Sequence, residues 1–102
     1  MPGKKNVLVI GRQEDNLSVI VKLIQANPIL SVMSSVSDEE AMTLFENNDV
    51  DLVIICCDVP EVSEQQLREQ FRMQKPSIKI LRQYGEENQL LKNEIDEVIK
   101  DN

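Results

Sequence analysis

The chain of 102 residues contains no histidine and no tryptophan, and aromatic residues make up only 3% of it. The first absence excludes histidine-based metal sites and histidine general bases. The scarcity of aromatics means that the core must be aliphatic, drawn from the Val, Ile and Leu among the 41% of residues that are apolar. There is no run of about 18 apolar residues, so no membrane span is expected. The N-terminus, Met1-Pro2-Gly3-Lys4-Lys5, leads straight into Asn6-Val7-Leu8-Val9-Ile10. That run is too short for a signal peptide and lacks its small-residue cleavage site, and a cytoplasmic protein is expected.

Positive charge is also scarce. Eleven Lys and Arg against 18 Asp and Glu leave a net charge of −7. Phosphate backbones require clustered bases, so nucleic acid is not an expected partner. The two cysteines, Cys56 and Cys57, are adjacent. Neighbours on a strand point to opposite faces, which argues against a disulfide between them. No linker, repeat or low-complexity stretch divides the chain, and the length suits one domain over 1–102.

Four strand-like runs alternate with four helix-like runs. Val7-Leu8-Val9-Ile10 and Leu52-Val53-Ile54-Ile55-Cys56-Cys57 are continuously apolar, the pattern of central parallel strands buried on both faces. Leu30-Ser31-Val32-Met33-Ser34 and Ile78-Lys79-Ile80-Leu81-Arg82 are mixed and read as sheet edges. Leu17, Ile20, Val21 and Ile24 mark the first helix, which ends before Pro28. Ser37 with Glu40 forms a capping box for the second, and the acidic run Asp38-Glu39-Glu40 suits the dipole of its first turn. Ser63 with Gln66 forms another capping box, with Val62 and Leu67 at the spacing of a hydrophobic staple, and this third helix stops before Pro76. Leu91, Ile95 and Val98 stripe the last helix, flanked by Leu90 and Ile99, with Glu86-Glu87 suited to its start.

Alternation of this kind predicts an α/β fold: a parallel sheet of order 2-1-3-4 with helices on both faces. Ligands of such sheets bind beyond the carboxyl ends of the strands, near the switch point between strands 1 and 3. Gly11, Arg12, Cys56, Asp58 and Arg82 gather there.

The phrase Asp51-Leu52-Val53-Ile54-Ile55-Cys56-Cys57-Asp58-Val59-Pro60 resembles the third strand and following loop of a bacterial receiver domain, the phospho-acceptor module of two-component signalling. Val9-Ile10-Gly11-Arg12-Gln13-Glu14-Asp15-Asn16-Leu17 is similar to the family's first strand and loop, and Ile80-Leu81-Arg82-Gln83-Tyr84-Gly85-Glu86 to its fourth strand. The resemblance implies a flavodoxin-like (CheY-like) three-layer sandwich and a role in signalling. It also implies a site. The family's phosphorylated aspartate falls on Cys56, its two metal-binding acids on Gly11 and Arg12, and its switch threonine or serine on Arg82. Only 20 residues follow Arg82, and they read as one loop and one helix, so the family's fifth strand and its essential lysine are not expected. The likeness is therefore to a receiver truncated to four βα units.

Phosphoryl transfer to a carboxylate needs an oxygen nucleophile and a cation held by oxygen ligands. A thiol, a glycine and an arginine supply neither, and Asp15 and Asp58 are a poor cage. The residues point to a degenerate phospho-acceptor site with no catalysis and no cofactor.

Cys56 has two readings: a redox thiol whose pKa is lowered by Arg12 and Arg82, or a small apolar residue ending a buried strand. We take the second, and the same for Cys57, expected to face a helix-covered side. Arg12 and Arg82 could form an anion-binding pocket, or pair with Asp58, Glu14 or Glu61 as structural charge. The acidic balance of the loops favours pairing.

The last helix is expected beside helix 1, because the sheet face there would otherwise be half bare. Strand 4 becomes an open edge, inviting a homodimer across it or through the side of the last helix. The leading functional reading is a pseudo-receiver that acts by binding a protein partner, a sensor kinase or another signalling protein. Alternatives are a small-anion or phosphometabolite sensor using Arg12 and Arg82, and a phosphocysteine carrier similar to the IIB components of sugar phosphotransferase systems.

Overall fold

A computed structural model describes residues 5–84 and 88–100. Eight elements alternate along the chain: β1 (Lys5–Ile10), α1 (Glu14–Gln25), β2 (Leu30–Ser35), α2 (Asp38–Asn47), β3 (Leu52–Ile55), α3 (Glu61–Gln74), β4 (Lys79–Arg82) and α4 (Asn88–Lys100). The strands form one parallel sheet of order β2-β1-β3-β4, as their patterning predicts. Register aligns Val7 with both Val32 and Leu52, and Leu52 with Lys79.

The two continuous apolar strands lie in the middle because both their faces are covered. Val7, Val9, Leu52 and Ile54 point to one side, where they meet Leu17, Ile20 and Ile24 of α1 and Leu91 and Ile95 of α4. Leu8, Ile10, Val53 and Ile55 point to the other, against Ala41 and Phe45 of α2 and Leu67 and Phe71 of α3. The molecule is therefore a three-layer sandwich, with α4 on the α1 side as expected. Each fully buried aliphatic side chain contributes roughly 1.5–3 kcal/mol. The two phenylalanines meet at 4.5 Å between ring centroids, bracing α2 against α3.

Local signals explain most boundaries. The Ser37 hydroxyl accepts the Glu40 N–H at 3.1 Å and so caps α2. At the end of α1, the Asn27 side chain accepts the Ile29 N–H across Pro28, turning the chain into β2. The third helix departs from expectation. It begins at Glu61, with Pro60 as its extended N-cap residue and no side-chain cap, so Ser63 and Gln66 form no capping box. Val62 is inside the helix and 67% exposed, so it forms no staple with buried Leu67. The physical reason is that Pro60 needs no N–H partner and is held extended, leaving Glu61 and Glu64 to supply acidic charge to the first turn. Glu86 and Glu87 lie outside the described residues.

Candidate functional site

At the carboxyl ends of the strands, the β1–α1 loop, the β3–α3 loop and the end of β4 converge. Cys56 directly follows β3, and its N–H donates to the Ile10 carbonyl at 2.8 Å. Its side chain is wholly buried among the α1-side core residues. Gly11 stands against it: a Cβ there would come within 3.3 Å of Cys56 Sγ and 3.4 Å of Leu17 Cδ1. Burial pushes the Cys56 thiol up to about 12; the neighbouring Asp58 and Cys57 add to the shift and Arg82 opposes it. A redox thiol needs the opposite displacement, and the packing matches a small apolar residue.

Cys57 corrects an expectation. It is exposed and does not face a helix-covered side. The strand ends at Ile55, so the alternation that would have aimed Cys57 inward stops before it. Its N–H donates to the Gln83 side-chain oxygen at 3.1 Å.

Asp58 is turned inward across the switch point. One carboxylate oxygen accepts the Arg12 N–H at 3.2 Å and the other the Gln13 N–H at 2.8 Å. Gln13 is the N-cap residue of α1 and makes no side-chain cap of its own. The Asp58 carboxylate thus ties down the start of α1 from the opposite loop, where negative charge also suits the dipole.

The two arginines are paired, but with other carboxylates than expected. Arg12 bonds Asp38 at the start of α2 at 2.6 Å, and its guanidinium also reaches the Gly11 carbonyl. Arg82 bonds Glu64 of α3 at 2.5 Å and donates to the carbonyls of Cys57 and Val59. Glu64 is shared with Arg68 at 2.8 Å. Asp58, Glu14 and Glu61 are not the ion-pair partners because helix starts at Asp38 and Glu61 bring Asp38 and Glu64 to the guanidinia, while Asp58 is engaged by backbone. The arginines converge on no common acceptor.

Sequence reasoning missed Asn16 and Gln83. Gln83 immediately follows β4 and is 2% exposed. Its side-chain oxygen accepts from Asn16 Nδ2 at 3.0 Å as well as from the Cys57 N–H, and its amide nitrogen faces Asn16 Oδ1 at 3.4 Å. This amide pair links α1, the β3–α3 loop and the end of β4. The available signal was position: both residues lie at the strand ends that the sheet order brings together. Among the described residues, no three His, Cys, Asp or Glu side chains cluster as a metal site would require.

No family model matches the chain, and no curated protein matches it. A solved structure does: the signal receiver domain of an HD domain-containing protein from Pseudomonas fluorescens Pf-5. The similarity has a TM-score of 0.68 at 22% identity and covers 87% of this chain and 72% of that one. The fold is that of a receiver, of the flavodoxin-like α/β type, with four parallel strands in the order 2-1-3-4. Among the described residues, no helix is long and apolar enough to cross a membrane.

Proposed function

We propose that this chain is a receiver-like signalling module of the cytoplasm that works without phosphorylation, transmitting information by binding a signalling protein such as a sensor kinase. The observation that carries the reading is the use made of Asp58. Its carboxylate, between the β1 and β3 loops, accepts with both oxygens from the backbone amides of Arg12 and Gln13. Beside it, the position matched to a phospho-acceptor is a buried thiol packed on Gly11. With Arg12 held by Asp38 and Arg82 by Glu64, the loops that a phosphoryl group would have to reorganise are already pinned. Such a module presents one surface constantly, and its output follows partner binding.

The two other readings find less support. A phosphocysteine carrier requires an accessible thiolate, and Cys56 is neither accessible nor acidic. An anion sensor requires guanidinia with spare charge, and both are engaged by carboxylates. The test is incubation with acetyl phosphate and Mg²⁺ followed by intact mass measurement, on the native chain and on Cys56→Asp. Neither should gain a phosphoryl group. A Mg²⁺-dependent phospho-form of Cys56→Asp overturns the reading, because the site would then need only one substitution to work.

A further inference from the structure

The base-poor chain concentrates its bases in one place. Five of the eleven Lys and Arg residues, Arg68, Arg72, Lys75, Lys79 and Arg82, fall between positions 68 and 82, with Glu69 the only acid among them. The fold delivers that stretch to the open side of the sheet. β4 is the last strand of the order, and among the described residues nothing pairs beyond it. The Gln83 N–H donates to the Ile55 carbonyl at 2.8 Å, so odd-numbered positions of β4 face β3. Ladder alternation then turns the N–H and C=O of Ile80 and Arg82 outward.

Two clefts on the α3 side flank this edge. One, of about 700 Å³, is lined by Asp51, Arg72, Lys75, Lys79 and Ile80 among others. The other, of about 420 Å³, is lined by Glu61 and Glu64 as well as Arg68, Arg82 and exposed Tyr84. Arg82 and Arg68 share Glu64, and Lys75 bonds Asp49. Arg72 and Lys79 are exposed and have no carboxylate partner among the described residues. The α4 side of the edge differs. Lys92, Ile95 and Asp96 line the groove between α4 and α1, so the helical period puts Leu90, Glu94 and Glu97 on the flank away from α1. Leu90 there is 59% exposed.

We propose that the β4 edge binds an extended acidic segment of a partner protein as a fifth strand. Backbone groups of Ile80 and Arg82 supply the pairing. Alternate side chains of the added strand supply specificity, acids towards Arg72 on the α3 side and apolar groups towards Leu81 and Leu90 on the other, while Lys79 at the start of β4 shares the face of Leu81 and adds positive charge to the edge. Charge argues against a second copy of this chain as the occupant, because β4 against β4 would bring Lys79 and Arg82 of one copy close to the same bases of the other. The inference is independent of whether the chain can be phosphorylated.

The probe is a fluorescent octapeptide of alternating glutamate and valine, followed by anisotropy and amide hydrogen exchange on the full chain. A lysine–valine octapeptide and a single-stranded oligonucleotide serve as comparators. The glutamate peptide should bind saturably, slow exchange at Ile80 and Arg82, and weaken at least about tenfold when Arg72→Glu and Lys79→Glu are combined. Both changes are on exposed side chains, and each variant is first shown to keep the native unfolding midpoint. The proposal is overturned if the glutamate peptide fails to bind, if the lysine peptide binds as well, or if protection maps away from β4. Competition of the oligonucleotide for the same edge, or sedimentation of the chain as a dimer closed through β4, overturns it equally.

Discussion

The Sγ of Cys56 lies 3.3 Å from where a Cβ on Gly11 would stand, so the loop after β1 and the end of β3 are in direct apolar contact. On the proposed reading, that contact fills the cleft where a phospho-accepting site would need room for charge. Adding a methyl group tests how tightly it is filled. Gly11→Ala demands a displacement of a few tenths of an ångström from the Cys56 sulfur and brings the new methyl into contact with Leu17. It should cost about 1 kcal/mol, and Gly11→Asp about 3 kcal/mol or more, because the carboxylate would have no partner there. Urea unfolding of the two variants measures both. A neutral Gly11→Asp would mean that the site opens to water.

The buried thiol also sets a pH dependence. Its folded value of about 12 lies above the ordinary 9.0. Below pH 9 both states hold the proton and the stabilisation is fully present. Between pH 9 and 12 only the unfolded chain releases it, so stability falls by up to about 1.4 kcal/mol per pH unit. The quantity to measure is the difference between the native chain and Cys56→Ala. On going from pH 8 to pH 10 the native chain should lose about 1.4 kcal/mol more than the variant. Equal losses would show that Cys56 ionises freely in the folded state.

Much of the fold was legible because the two inner strands are apolar without interruption. Val7–Ile10 and Leu52–Ile55 could be buried on both faces only at the centre of the sheet. The stripe of Leu91, Ile95 and Val98 likewise needed a surface, and the bare face beside α1 was the one available. The site was less legible. That Gly11, Arg12, Cys56, Asp58 and Arg82 gather at one end of the sheet follows from topology. Which carboxylate meets which guanidinium does not, because it depends on where each helix starts. Pro60 starts α3 before Ser63, and that places Glu64 within reach of Arg82. Cys57 was misplaced for a similar reason: period-2 logic holds only while the strand lasts, and β3 ends at Ile55. Gln83 and Asn16 carry no charge and no motif, so nothing in composition distinguished them.

Asp58 should be the most costly polar residue of the site to remove. It satisfies two backbone amides with ionised oxygens, bonds of a kind worth about 1.5–3 kcal/mol each in favourable cases. Asp58→Ala should lower stability by about 2–3 kcal/mol. Asp58→Asn should recover only part of that, because its NH₂ would face one of the two N–H donors. Hydrogen exchange at Arg12 and Gln13 reports the loss directly, and should quicken in both variants. Unchanged exchange there would remove Asp58 from the role of loop clamp.

The two ion pairs should differ in strength although both are short. Arg82 and Glu64 are 17% and 14% exposed, and Arg82 is further held by two carbonyls. Arg12 and Asp38 are 27% and 36% exposed, with more water to screen them. A double-mutant cycle of Arg82→Ala with Glu64→Gln should return a coupling of about 1–2 kcal/mol, within the range for residues of one buried network. The cycle of Arg12→Ala with Asp38→Asn should return less than about 1 kcal/mol, as exposed pairs do. Arg68 stays on Glu64 when Arg82 is removed, so the first cycle leaves no orphaned carboxylate and its coupling reports the pair itself. Raising the salt concentration should erode the Arg12–Asp38 coupling first. A larger coupling at Arg12 would place the stronger lock on α2, and would make the start of that helix, not α3, the element that holds the loops in one state.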